Sequence, residues 1–127
     1  MKHSRHKSRI KTCDALWIEA IKKRDKICQR PDCPYCRNRK NARYLQAHHI
    51  VERTCWPLRF DLKNGVLLCR GSHFKWAHSN DPFVQDEVRE FYESIADMKY
   101  LKLARYRQSK NDYAMIEIML RSESCLS

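Results

Sequence analysis

Glycine and proline are scarce in this chain, with two and four residues among 127, which excludes a Gly/Pro-rich disordered or collagen-like polymer. No apolar run approaches the ~18 residues of a membrane-spanning helix. The basic opening MKHSRHKSRIK has no hydrophobic segment behind it, so no secretory signal is expected. Internal repeats and low-complexity tracts are absent too. Acidic residues are the minority, 15 Asp and Glu against 26 Lys and Arg, for a formal net charge of +11. That excess favours a polyanionic partner, of which nucleic acid is the usual one, and not a membrane. The length fits one domain, and an apolar fraction of 43% allows a modest core that a bound metal would reinforce. Seven cysteines without an export signal predict thiols serving metal instead of disulfides, and a cytoplasmic location.

Residues 1–11 hold five Lys or Arg, two His and no acid, and are expected to form a flexible basic arm. Leu16, Trp17, Ala20 and Ile21 then recur at helical spacing, predicting a helix over about 13–24 with Thr12 or Asp14 as its cap. CQRPDCPYCRNRKNARY reads as a Cys-, Pro- and Arg-rich knuckle. YLQAHH suits a short strand, 50–63 a loop containing Pro57, GVLLC (65–69) a second strand, and RGSHFKWAH the start of a helix. Asp81 and Pro82 open an amphipathic helix with Val84, Val88, Phe91 and Ile95 on its apolar face and Asp86, Glu87, Glu90 and Glu93 on the other. A basic segment (99–110), a last amphipathic stretch DYAMIEIML and a frayed tail (122–127) complete one domain over 12–121, with a motif core at 24–82 and a helical part at 82–121.

The chemistry is concentrated at His48, His49, Asn64 and His73. A strand–loop–strand–helix unit folds the end of the first strand, the start of the second and the first helical turn onto one spot. A divalent cation and a neutral imidazole, with its ordinary pKa of about 6.5, are what phosphodiester hydrolysis requires. Histidine pairs alone are usually ordinary core or surface residues; the downstream partners give this pair its weight.

HHIVER, LKNGVLLC and SHFKWAH together resemble the HNH nuclease family, over roughly residues 24–82, about half the chain. The resemblance implies an α+β fold with a ββα-metal, treble-clef-like core, an N-terminal helix and a helical C-terminal half. It implies a metal-dependent DNA endonuclease, a phosphodiester hydrolase that nicks or cuts both strands. His48 and His73 would ligate a catalytic divalent ion (magnesium, manganese or another transition metal), His49 would be the general base, and Asn64 would hold the loop and orient that base. His78 resembles the additional histidine that some members carry after the second ligand. Compact members of this kind are similar to nucleases of phages, acting beside packaging or recombination proteins in the host cytoplasm.

Many members also hold the finger with structural zinc through two C-x-x-C pairs. Here Cys33 and Cys36 supply the first, but CRGSH keeps Cys69 and has Ser72 in place of the second cysteine. Cys28 is the candidate replacement, completing Cys28, Cys33, Cys36 and Cys69 around zinc, with His78 as the competing fourth ligand. Cys13, Cys55 and Cys125 have no partner at ligand spacing. Arg53, Arg59, Lys63, Arg70 and Lys75 cluster around the motif and are expected to meet DNA phosphates, whereas Trp56 and Trp76 read mainly as core. The rival reading is a non-catalytic zinc-finger-like DNA-binding or adaptor module; the same charge would also serve an RNA nuclease.

Overall fold

The computed structural model describes residues 2–107 and 111–125, with side chains described over 7–107 and 111–123. Its first helix, α1 (Lys2–Asp25), contains no glycine or proline and is built largely from good helix formers. It corrects the expected flexible arm, because the backbone of that basic stretch forms the first turns of α1 from Lys2 onward. Apolar periodicity could not show those turns, since among the described side chains the first buried one is Cys13, followed by Leu16, Trp17, Ala20 and Ile21.

Two short strands follow the knuckle, β1 (Leu45–His49) and β2 (Gly65–Cys69), paired antiparallel with His48 opposite Val66 and His49 opposite Gly65. Between them the loop makes two single 3-10 turns, Trp56–Leu58 and Leu62–Asn64. β2 is buried on both faces because the hairpin lies between two helical layers. Its Leu67 packs with Trp17 and Ile21 of α1, while Val66 and Leu68 pack with Trp76, Val88 and Phe91. The alternation of a strand therefore sends the adjacent histidines of β1 to opposite faces, His49 towards α1 and His48 towards the layer of Val88 and Phe91.

After β2 the chain enters a π-helical turn (Ser72–Ala77) where an ordinary helix was expected, then α2 (Pro82–Ile95), α3 (Met98–Ala104) and α4 (Tyr113–Cys125). Asp81 caps α2 by accepting from Phe83 N–H. Val88 and Phe91 enter the core as expected, but Ile95, placed on the same face by periodicity, is 43% exposed in the last turn. The acidic face of α2 is exposed. α4 continues through 122–125, where fraying was expected, and its Leu120 joins the α1 core; residues 126 and 127 lie outside the described residues. α3 covers the loop, with Leu101 and Ala104 against Leu58.

Gly65 permits the approach of α1 to the hairpin. A Cβ there would lie 2.5 Å from Ile21 Cδ1 and 2.6 Å from Trp17 Cζ2. Gly65→Ala is expected to destabilise the fold by about 1–3 kcal/mol, as overpacked cores do, and to shift the tryptophan emission. Denaturant unfolding followed by fluorescence measures both, and an unchanged midpoint would show that the helix is not held this close.

Candidate functional site

A cleft of about 540 Å³ opens at the His49 end of the hairpin, lined by His48, His49, His73, His78, Tyr92 and Arg53 among others. Two subsites share it, one on each face of β1.

On the α2 face, ring nitrogens of His48, His73 and His78 all lie within 4.8 Å of one another. The π-helical turn explains part of this. Its i→i+5 geometry brings residues five apart nearly over one another, so His73 and His78 meet with their Nε2 atoms 3.2 Å apart. Two ligands of a tetrahedral zinc at Zn–N ≈ 2.05 Å would be separated by about 3.3 Å. Gln46, two residues before His48 on the same face, accepts from His73 Nδ1. The proton is thereby held on Nδ1, and His73 Nε2 keeps a lone pair, the outer-shell arrangement that orients metal-binding imidazoles. His48 Nε2 lies 2.6 Å from the Tyr92 hydroxyl. Burial pushes the Tyr92 pKa up to about 12, so the hydroxyl keeps its proton. Burial, with the neighbouring His73, His78 and His49, lowers His48 to about 3, and burial first, then His78, lowers His73. His48 and His73 are therefore held neutral, the form a metal needs.

On the α1 face, His49 stacks on Trp17 with ring centroids 3.9 Å apart and planes 6° from parallel. Its Nε2 lies 2.9 Å from the carbonyl oxygen of Arg59. A carbonyl only accepts, so Nε2 carries the proton and Nδ1 holds the lone pair. Burial lowers the His49 pKa against the opposing effects of the Arg59 carbonyl and Asp14. The result is a neutral, fixed imidazole beside the triad but outside it, free to accept a proton.

Asn64 is fully buried and touches neither subsite directly. Its Nδ2 donates to the Val51 and Leu58 carbonyls at 3.0 and 3.1 Å, and its Oδ1 accepts from Val51 N–H at 2.7 Å. It holds the loop that carries Arg59, and so positions His49 at one remove.

The cysteine set converges at the other end of the hairpin. Sγ atoms of Cys28, Cys33, Cys36 and Cys69 lie within 4.8 Å of one another, so Cys28 stands where the knuckle pattern lacks a cysteine. Cys33 and Cys69 are 3.6 Å apart, close to the edge of about 3.8 Å expected for tetrahedral thiolates at Zn–S ≈ 2.3 Å. Ser72 is buried, with its hydroxyl 3.1 Å from Cys33 Sγ and 3.4 Å from Arg30 Nη1. Burial opposes ionisation of Cys33, but the Ser72 hydroxyl and nearby backbone N–H groups outweigh it and bring its pKa down to about 6. Burial and neighbouring thiols push Cys36 up to about 12, and burial first raises Cys28. A thiolate forms readily at Cys33, whereas Cys28 and Cys36 need a cation beside them to ionise. His78 belongs to the histidine group, so the alternative of a fourth zinc ligand there is not the arrangement found. Cys13 is a buried core thiol and Cys55 half-buried; the Cys125 side chain lies outside the described ones.

The five expected phosphate contacts separate. Arg53 is exposed on the cleft. Arg59 is a correction: it is 7% exposed, with Nε and Nη2 at 3.0 and 2.7 Å from the Asp14 carboxylate, and it lies over the Trp56 ring. That buried pairing commits its charge within the fold. Lys63 is exposed beside Tyr100 in a different groove, and Arg70 and Lys75 are exposed near Tyr44 and Tyr35. Trp76 is core and Trp56 is 43% exposed. Gln46 and Tyr92 were missed by sequence reasoning. Gln46 carried a signal, the i, i+2 spacing to His48, while Tyr92 reaches the site only through tertiary packing.

Comparison with family models, curated proteins and solved structures yields no match to this chain. Among the described residues no helix is long and apolar enough to cross a membrane.

The three lowered imidazole pKa values fix a sign. Below the ordinary value of 6.5, an unfolded chain takes up protons that folded His48, His49 and His73 refuse. Their contribution to stability is fully present above about 6.5 and is lost as pH falls towards the folded values. Thermal unfolding of protein lacking metal at the histidine site should show a midpoint that declines between pH 7.5 and 5, and His48→Gln should flatten the decline.

Proposed function

We propose that this chain is a metal-dependent DNA endonuclease of the HNH type, with a ββα-metal core. The reading is carried by one juxtaposition: three imidazoles converging within 4.8 Å, beside a fourth, His49, whose basic nitrogen is defined by its bond to the Arg59 carbonyl. His48, His73 and His78 would hold a divalent ion. An all-nitrogen donor set suits zinc, nickel or another transition metal better than magnesium. Bound there, the ion would supply positive charge against the phosphate and the departing oxygen.

The protein's own part in the reaction is proton handling and positioning. His49 Nδ1 accepts the proton of the attacking water, and the imidazolium formed is steadied by the Arg59 carbonyl at Nε2. The Trp17 ring fixes the plane of the base and shields one face from solvent. Gln46 and Tyr92 orient His73 and His48. Cys28, Cys33, Cys36 and Cys69 would hold a structural zinc that fixes the knuckle and the start of the π-helical turn.

His49→Ala is expected to lower cleavage of supercoiled plasmid by 10²-fold or more, on the order of a general base's contribution, without loss of metal at the triad. His48→Ala and His73→Ala should instead lose that metal, with partial rescue as its concentration is raised. Near-normal cutting by His49→Ala would sink the assignment of the base. A wild-type protein that binds duplex DNA but cuts it with none of zinc, nickel, manganese or magnesium would leave the non-catalytic binding module as the correct reading.

The structural metal has its own test. Purified protein should hold one zinc through dialysis, and Cys28→Ser should lose it as completely as Cys36→Ser, whereas Cys55→Ser should not. Stripping that zinc should unfold the knuckle, because binding free energy at such a site is largely folding free energy. Elemental analysis with circular dichroism measures both; zinc retained in Cys28→Ser would remove Cys28 from the ligand set.

A further inference from the structure

The histidine cleft does not account for the protein's positive charge. Apart from histidines, its charged lining is Arg53 against Asp14 and Glu52, and the neighbouring Arg59 is paired. A polyanion drawn to that cleft needs cations elsewhere.

The knuckle supplies them. From Cys33 to Val51 the sequence has no Asp or Glu but carries Arg37, Arg39, Lys40 and Arg43. All four are exposed, and each described ion pair uses a different cation. Their backbone is held in place. Arg37 and Asn38 adopt left-handed conformations, φ 53° and 55°, and Asn38 accepts from Cys33 N–H while donating to the Cys28 and Arg30 carbonyls at 2.8 Å. A fixed, unpaired row of cations with no acid among them is costly through self-repulsion unless a polyanion covers it.

The neighbouring aromatics indicate which form of polyanion. Tyr35 has Arg30 and Lys75 at 5.9 and 5.8 Å, and its ring lies so close to Gly71 that a Cβ there would be 2.5 Å away. Tyr44 has Arg70 at 6.0 Å. Each ring has a cation against it, and two separate tyrosines, 50% and 66% exposed, do not make the run of stacking platforms that single-strand binding would need. The surface suits phosphates on the outside of a duplex.

We propose that the 37–43 loop, with Arg70 and Lys75 beside it, is a docking track for the phosphate backbone of duplex DNA, outside the histidine cleft. It rests on the nuclease reading only for its purpose, which is to hold the substrate. β1 runs from the end of this loop to His49, roughly 13 Å at ~3.3 Å per residue, or about four base pairs of duplex at 3.4 Å each.

The test uses the full zinc-loaded chain in a His49→Ala background, so that DNA stays intact. Salt-dependent binding of a duplex is compared for R37Q/R39Q/K40Q/R43Q and for a control with the same charge loss, K11Q/K22Q/K99Q/K102Q. At ~0.9 per phosphate contact, the slope of log K against log salt should fall by about 2–4 for the loop variant and by less than about 1 for the control. Zinc content and melting temperature verify that the loop variant is folded. Equal falls in both variants would reduce the effect to net charge, and an unchanged loop slope would remove the track; either overturns the proposal. So would a loop-dependent slope found with structured RNA and not with DNA. A wild-type protein that never cuts, yet shows the loop-dependent slope, would overturn the nuclease reading and leave the docking track standing.

Discussion

The site depends on the amide of Asn64. Fully buried, it must find partners for its polar atoms or cost the fold about 1–3 kcal/mol for each one left unmade, and it finds them in Val51 and Leu58. Those bonds turn the stretch from Ile50 to Asn64 from a floppy connection into a closed loop, with Ile50 N–H on the Asn64 carbonyl as a further tie. Everything that holds His49 from below rides on this loop: the Arg59 carbonyl, the Asp14–Arg59 pair that anchors it to α1, and the Asp61 carbonyl that accepts from Trp17 Nε1. An apolar residue at 64 could fill the volume but would leave both the N–H and the carbonyl of Val51 unsatisfied and remove one of the two donors to the Leu58 carbonyl.

Two adjacent histidines acquire different chemistry from one geometric fact, the alternation of a β-strand. His48, on the α2 face, meets two further imidazoles and a tyrosine hydroxyl. His49, on the α1 face, meets an indole and a carbonyl. A slip of one residue in register would exchange the faces and put each imidazole among the wrong neighbours. Register is protected by Gly65, opposite His49, since no larger residue fits beneath Trp17 and Ile21. The same contact sets where α1 sits and which imidazole stacks on it.

What the sequence discloses is what short-range spacing can encode. GVLLC corresponds to β2 residue for residue, Asp81–Pro82 to the start of α2, and Cys33, Cys36 and Cys69 to one cluster, because each signal is local or rests on a strict ligand spacing. Ser72 looked like a broken ligand and is instead a buried hydroxyl against Cys33, with Cys28 as the fourth thiol. The failures concern side chains whose fate is decided by residues far along the chain. Arg59 looked like a phosphate contact until Asp14, 45 residues away, claimed it. Tyr92 meets His48 across 44 residues. The π-helical turn gave no signal of its own in the sequence; the apolar pattern of SHFKWAH fits an ordinary helix equally well.

Only three residues, Arg70, Gly71 and Ser72, separate the two candidate metal sites along the chain. Cys69 ends β2, the Ser72 N–H lies 3.5 Å from its sulfur, and His73 is the next residue. Any cation that gathers the four thiols therefore also fixes the first turn carrying His73, and Arg30 strengthens the link by reaching Ser72 while lying 4.3 Å from the Trp76 ring of the same turn. Binding at the cysteines lowers the entropy cost of assembling the histidines, because the backbone between them is already ordered. The coupling is reciprocal: a cation at the histidines favours the thiol site by the same free energy, and β1, which carries His48, pairs with Cys69 through Leu45. Each ion would thus favour the other, and that mutual support is what a small, highly charged domain with a modest core needs to hold a polar cleft together.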